Sequence, residues 1–120
     1  VYYNRGVYAG IVNTEAILTA QKKFGVKVLN GDEVRWGFEN LNITKERLKE
    51  LGAEKFMQPI KLSCADHEGG GPVFFQQWDG EKWVMTGIVV EPMTKFVREK
   101  IEASADKYAK ENKIKIRECK

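Results

Sequence analysis

The spacing of apolar residues predicts a long helix at the start of the chain. Apolar side chains recur at three- and four-residue spacing over residues 5–25, and Gly25 follows Lys22 and Lys23 as a termination signal. The predicted stripe consists of Val7, Gly10, Ile11, Thr14, Ile17, Leu18 and Gln21. Because Gly10 and Thr14 are small, we expect this face of the helix to lie close to another backbone.

Two shorter helices are predicted next. Asn30 and Glu33 have the spacing of a capping box, in which each side chain accepts a hydrogen bond from the other residue's backbone N–H. The third helix is predicted to open at Thr44 and to stop at Gly52. The inward-facing residues are predicted to be Val34, Phe38 and Leu41 in the second helix, and Leu48 and Leu51 in the third.

After Pro59 the apolar spacing changes to two, which predicts strands. The alternating residues are Ile60, Leu62 and Cys64. The run VFFQQW follows a glycine triplet, and Asp79-Gly80 then predicts a two-residue hairpin turn before a second apolar run. Residues 59–90 are therefore expected to form three extended segments joined by two reversals.

Helical spacing resumes beyond Pro92 and fades near Asn112, before a short basic tail that is expected to be extended. The predicted stripe of this last helix is Val97, Ile101, Ala105 and Tyr108. We therefore interpret residues 1–120 as a single segment. It divides into a helical part (1–58), strands with a hairpin (59–90), and a C-terminal helix with its tail (91–120).

The composition is that of a globular protein with one core. Hydrophobic residues make up 42% of the chain and charged residues 31%. The net charge is only +3, and Lys alternates with Glu along the predicted helices, which is typical of solvated faces and not of a nucleic-acid interface. No apolar run approaches the roughly 20 residues that cross a bilayer. Nucleic-acid binding and a membrane span are therefore not expected.

Residues 63–80 contain most of the side chains that could do chemistry. The possible metal ligands are Cys64, Asp66, His67, Glu68 and Asp79. Structural zinc prefers four Cys or His ligands, and a calcium loop needs more oxygen donors at alternate positions. The glycine triplet precedes a strand, whereas a phosphate loop precedes a helix N-terminus. We therefore expect no metal and no cofactor.

The same segment is better interpreted as a wide turn without catalysis. Cys64 and His67 could form a nucleophilic pair, but no third group is evident that would orient them. The three consecutive glycines supply backbone conformations that other residues disfavour, and Asp66 and His67 are expected to bond local backbone donors. The turn could still border a ligand cleft. The protein is expected not to be an enzyme.

A second group of interest precedes the predicted first helix. Tyr3, Asn4 and Arg5, next to Tyr2, offer aromatic faces and a guanidinium, which together suit a small ligand that carries a carboxylate. The alternative is that these residues merely pack on whatever precedes them. The two cysteines, Cys64 and Cys119, lack C-x-x-C spacing and could be free thiols or one disulfide.

Four stretches resemble one known family. They are YYNRGVYAGIVNTEAILTAQKKFG, GDEVRWGFENLN, MQPIKLSCADHEGGGPVFFQQWDGEKWV and KYAKENKIKIREC. The sequence resembles the C-terminal part of periplasmic solute-binding proteins of the branched-chain amino acid ABC transporter type, in particular the aromatic and organic-acid subgroup. The resemblance implies an α/β fold, part of a type I Venus-flytrap protein of two lobes in which residues 72–90 form a hinge hairpin.

The resemblance also implies a function and partners. The expected function is capture of an amino acid or small aromatic or organic acid in the periplasm, for delivery to an ABC permease, without catalysis. The implied ligand-binding residues are Tyr3, Asn4 and Arg5, and more weakly Asp66 and His67. An oxidising compartment would favour a Cys64–Cys119 disulfide, which stabilises by about 4 kcal/mol in the chain-entropy model.

Receptors of this family are much longer than this chain. We therefore expect association with the remainder of such a receptor or with a swapped copy of the same chain, because the apolar faces otherwise lack cover. The alternative function is a stand-alone α+β interaction or regulatory module without a small ligand.

Overall fold

The computed structural model describes residues 2–119, and the chain divides into two compact units, with the boundary in the sequence between Gly69 and Gly70. The first unit contains α1 (Tyr2–Phe24), α2 (Gly31–Glu39), β1 (Asn42–Ile43), α3 (Lys45–Glu50) and β2 (Ile60–Lys61). The second contains β3 (Val73–Trp78), β4 (Trp83–Val90) and α4 (Thr94–Glu111). Helices and small antiparallel sheets make this an α+β chain.

The first helix is confirmed, and its predicted packing face is correct only in part, since Ile11 packs against the core of the first unit. Ala16 and Ala20 are fully buried, whereas Ile17 and Leu18 of the predicted stripe are exposed. The close approach is between α1 and Gly37 of α2, because a Cβ at Gly37 would overlap the carbonyl oxygen of Ala16. Helices at so short a distance accept only the smallest side chains at the contact. The contact therefore selects alanine and glycine instead of the larger apolar residues.

The predicted capping box of α2 is confirmed. The backbone N–H of Glu33 donates to Asn30 Oδ1, and the backbone N–H of Asn30 donates to Glu33 Oε2, both at 3.0 Å. The start of α3 is confirmed as well, since Thr44 Oγ1 accepts from the backbone N–H of Arg47 at 3.2 Å. Both helices therefore begin where side chains replace missing backbone partners.

The core of the first unit forms around α3. Its buried residues are Leu41, Ile43, Leu48, Ala53, Met57 and Ile60. The predicted burial of Leu48 is confirmed, whereas Leu51 is exposed. β2 contributes Ile60 to this core and pairs antiparallel with β1, a strand that the sequence did not indicate. The three extended segments expected in residues 59–90 are present as strands at Ile60–Lys61, Val73–Trp78 and Trp83–Val90, and the first of them pairs with β1.

The hairpin is confirmed, but its loop is longer than predicted. Trp78 pairs with Trp83, so four residues separate the paired positions instead of two. Asp79 Oδ1 accepts from the backbone N–H groups of Glu81 and Lys82, both at 2.9 Å. This aspartate therefore orders a wider loop than the tight turn that Asp-Gly predicts, and Gly80 supplies a φ of 111° within it.

The last helix, α4, is confirmed close to its predicted bounds, although its stripe is exposed at Val97, Ile101 and Tyr108. We expected part of a two-lobed α/β fold, but the described residues combine helices with small antiparallel sheets, which is an α+β arrangement. Both sheets of residues 2–119 are two-stranded and antiparallel. The described residues therefore give no evidence of a Venus-flytrap fold. The interpretation of residues 1–120 as a single segment with three parts stays a prediction.

Candidate functional site

The turn at residues 63–69 is held by hydrogen bonds of its own residues. The backbone N–H of Ser63 donates to the carbonyl oxygen of Asp66 at 2.9 Å, and the backbone N–H of Asp66 donates to Ser63 Oγ at 3.1 Å. Asp66 Oδ1 accepts from the backbone N–H groups of Glu68 at 3.0 Å and Gly69 at 3.3 Å. The carboxylate of Asp66 therefore has the turn-forming role that the sequence predicted.

Gly69 completes this turn in a backbone conformation that favours glycine. Its φ is 70°, in the left-handed region, and an added Cβ would lie 2.9 Å from Leu62 Cδ2 and 3.2 Å from Ile60 Cγ2. The position therefore requires glycine both for its backbone conformation and for its contact with the core. Glycine here follows from geometry, and the turn needs no bound ligand to explain it.

His67 lies beside the end of α2. Its Nε2 is 3.4 Å from Glu39 Oε1, and the Glu39 side chain is mostly buried whereas that of His67 is exposed. The sequence predicted that His67 would bond a backbone donor in its own turn, whereas the structure places its ring beside the Glu39 side chain. Glu39 Oε1 also lies 3.9 Å from Arg35 Nε, so a cation is already near this carboxylate.

The predicted N-terminal group lies on α1 and not ahead of it. Tyr3, Asn4 and Arg5 belong to the first turn of the helix, and all three side chains are exposed. The structure thus places the predicted ligand-binding residues in two groups, one on this turn and the other, Asp66 and His67, in the loop. Their role in ligand binding stays a prediction.

Both cysteines are oxidised in the structure. Cys64 and Cys119 are each disulfide-bonded, and the residues from 2 to 119 include no free cysteine. A thiolate nucleophile at Cys64, which the sequence made conceivable beside His67, is therefore not available in this state. The specific Cys64–Cys119 pairing stays a prediction that peptide mapping can test.

The strongest polar cluster of the first unit was not predicted. Arg47 of α3 donates from Nε to Glu15 Oε2 at 2.9 Å and from Nη2 to Glu15 Oε1 at 2.7 Å, a bidentate pair. Its Nη1 donates to Glu50 Oε2 at 2.8 Å. The hydrogen bonds from Arg47 lower the pKa of Glu15, and burial opposes this only in part. The cluster joins α1 to α3 and is structural.

One open cavity lies beside α3. Its volume is about 420 Å³, and the buried side chains of Leu48 and Met57 form part of its wall. Its polar lining mixes charges of both signs from Lys45, Glu46, Lys49 and Glu54. Because both signs of charge are present, these four side chains do not form a site that favours a ligand of one charge. In the part of the chain that the structure describes, no group of three or more His, Cys, Asp or Glu side chains could hold a metal ion.

Comparison with known proteins gives one informative result. No family model matches the chain, and no curated protein is significantly similar to it. A solved structure from the Pseudomonas fluorescens group, described as an ABC transporter permease, is similar to it at 46% identity with a TM-score of 0.89. The match covers 99% of this chain and 29% of that one, so the chain spans less than a third of the matched protein.

This match corrects the expectations that came from the family resemblance. The matched protein is described as a permease, which contradicts both the resemblance to solute-binding proteins and the predicted function of solute capture. The predicted periplasmic location depended on that resemblance, and the same finding contradicts it. The description of the matched protein agrees with the predicted connection to ABC transporters. The alternative of a stand-alone module gains no specific support. No helix among residues 2–119 is long and apolar enough to cross a membrane.

Proposed function

We propose that this chain functions as part of an ABC transporter protein, in the transport of a solute across a membrane. The match to the solved ABC transporter permease carries the proposal, because it combines 46% identity with a TM-score of 0.89 over 99% of this chain. Similarity of this extent along nearly every residue supports a shared role more strongly than a shared fold would alone.

Within such a transporter, the proposed role of this part is structural and not catalytic. Its best-defined charged groups already serve the fold: Glu15 is bonded to Arg47, and Asp66 is bonded to the backbone of its own loop. Side chains with these engagements are not free to move protons or attack a substrate. The match to an ABC transporter permease also suggests the partners: we propose the other components of an ABC transporter, among them the subunits that hydrolyse ATP.

The proposal can be tested on the natural protein that contains this sequence. An affinity tag on that protein, mild detergent extraction from its own organism and mass spectrometry of the purified material would identify the associated subunits. We expect an ATP-hydrolysing subunit of an ABC transporter to co-purify, and we expect the purified material to hydrolyse ATP.

Two glycine variants provide a matched comparison. Gly37→Ala adds a methyl group at the α1–α2 contact, whereas Gly10→Ala adds one where no other atom lies within 4 Å. If this part is needed for assembly, the first variant should lose the ATP-hydrolysing subunit and the second should retain it. Recovery of the wild-type protein without any ABC transporter component would contradict the proposed function.

A further inference from the structure

The hairpin of β3 and β4 exposes apolar side chains on both faces. Ile88, Val89 and Val90 are 57%, 56% and 51% exposed. Consecutive residues of a strand point to opposite faces of the sheet, so the second unit by itself covers neither face at this end of β4. Large exposed apolar patches on a protein mark surfaces that another polypeptide or a ligand covers.

The sequence of the hairpin is that of interior strands. Neither VFFQQW (β3) nor WVMTGIVV (β4) contains a charged residue. Natural edge strands are often protected by charged residues or prolines within the strand, and neither β3 nor β4 contains one; the ladder has a single irregularity, between Phe74 and Gln76. A two-stranded hairpin is by itself only marginally stable in water. These two strands therefore have the composition of strands from the middle of a larger, covered sheet.

The loop end of the hairpin carries two further apolar groups. The rings of Trp78 and Trp83 are 5.7 Å apart in an edge-to-face arrangement, and the side chains are 50% and 64% exposed. Tryptophan side chains are among the commonest anchors of polypeptide interfaces, because they bury a large apolar area at little cost in conformational entropy. The apolar surface thus extends along the whole hairpin.

The matched structure indicates what covers this surface. Nearly all of this chain corresponds to only 29% of that protein, so more than two thirds of the matched polypeptide has no counterpart in these residues. We infer that β3 and β4 are interior strands of a larger sheet, completed by strands and apolar helix faces from polypeptide that corresponds to this remainder. The inference depends on the structural match and goes beyond the proposed role in transport.

A second copy of the chain would cover the hairpin less completely. Pairing of two hairpins through one edge gives a four-stranded sheet whose two outer strands again carry no charged residue. Both strands lack charged residues, so packing of a different polypeptide segment against the hairpin explains their composition better than a second copy does.

Complementation between two separate polypeptides tests the inference. Residues 1–120 would be co-expressed with the part of the matched Pseudomonas protein that lies outside the matched segment, and the mixture would be analysed by size exclusion with light scattering. We expect a complex with one copy of each partner. In hydrogen–deuterium exchange, the backbone amides of β4 should be at least tenfold better protected in this complex than in residues 1–120 alone.

Val89→Lys and Val28→Lys are matched variants, because the same change is made on the hairpin and at a loop residue that is 96% exposed. Val89→Lys should weaken the complex at least tenfold, and Val28→Lys should leave it unchanged. The inference is overturned if no complex forms, if both variants bind equally, or if residues 1–120 alone form a homodimer that protects β4. A positive result without recovery of an ATP-hydrolysing subunit would contradict only the proposed transport role.

Discussion

Gly37 of α2 lies so close to Ala16 of α1 that the contact leaves no room for a side chain at position 37. An added Cβ would overlap the carbonyl oxygen of Ala16 and would lie 2.9 Å from Cβ of Ala20. Because the obstacle is backbone, a change of rotamer cannot remove it. The separation of the two helices is therefore set by this one glycine together with two alanines.

Gly37→Ala should destabilise the first unit. Overpacking of a tight contact costs about 1–3 kcal/mol, which exceeds the gain of up to about 1 kcal/mol from the better helix propensity of alanine. We expect the free energy of unfolding to fall by about 1–2 kcal/mol, measured by urea denaturation with far-UV circular dichroism.

Gly10→Ala is the control for this prediction. It makes the same change within a helix, but no other atom lies within 4 Å of the new Cβ. The free energy of unfolding should rise by about 0.5–1 kcal/mol, because alanine loses less backbone entropy than glycine on folding. Equal stability of the Gly37→Ala variant and the wild type would show that the helices are not in this contact.

The capping box gives a second prediction. Asn30→Ala removes the acceptor for the backbone N–H of Glu33 and should lower the free energy of unfolding by about 1 kcal/mol. Asn30→Asp keeps an acceptor at the same position and should retain most of the stability. The same denaturation measurement compares the two variants. A loss as large in Asn30→Asp as in Asn30→Ala would mean that the hydrogen bond is not the cause.

The Glu15–Arg47 pair predicts a dependence of stability on pH. The hydrogen bonds from Arg47 hold the pKa of Glu15 below its ordinary value of 4.5 in the folded state. A lowered folded-state pKa means that the stabilisation is fully present above about pH 4.5 and is lost as the pH falls through the folded pKa. The pair therefore stabilises the protein at neutral pH and not in strong acid.

Glu15→Gln should test this dependence. We expect a loss of about 1 kcal/mol at neutral pH, a modest value because solvent screens a pair that is partly exposed. Its difference from the wild type should shrink as the pH is lowered below 4.5, when the wild-type carboxyl is also neutral. Glu54→Gln makes the same change at an exposed glutamate of the same unit and should alter the free energy of unfolding at neutral pH by less than about 0.5 kcal/mol. A pH-independent difference for Glu15→Gln would contradict the assignment.

The predicted Cys64–Cys119 disulfide can be examined by mass spectrometry. Alkylation without reduction should add no adduct, and alkylation after reduction should add two. Proteolytic digestion of the unreduced protein should yield one linked peptide that contains both cysteines. Reduction should lower the free energy of unfolding by about 4 kcal/mol.

The double variant Cys64→Ser, Cys119→Ser serves as the control for reduction. Its stability should not respond to a reducing agent. Two alkylated thiols in the unreduced wild-type protein would contradict the pairing.

Local signals in the sequence predicted most of the elements correctly. The capping box at Asn30, the N-cap at Thr44 and the hairpin around Asp79 depend on residues within four positions of one another, so the pattern is visible in the sequence. The turn-forming role of Asp66 is of the same kind. These features could be predicted because the interacting groups are close along the chain.

Features that depend on distant residues could not be predicted. β1 has only two residues, which is too short for any periodic pattern, and it forms because β2 pairs with it. Glu15 and Arg47 are 32 positions apart, so nothing in the sequence pairs them. The resemblance to solute-binding proteins gave a function that the matched permease contradicts, although the connection with ABC transporters is supported.

The sequence by itself determined where α2 and α3 begin and where the hairpin reverses, because caps, glycines and turn residues act through neighbouring backbone groups. Only the tertiary structure decided which face of α1 is buried. The apolar stripe offered Ile17 and Leu18, but the short distance to Gly37 admits only Ala16 and Ala20. Burial follows from the distance between two helices, and that distance is a property of the pair and not of either sequence alone.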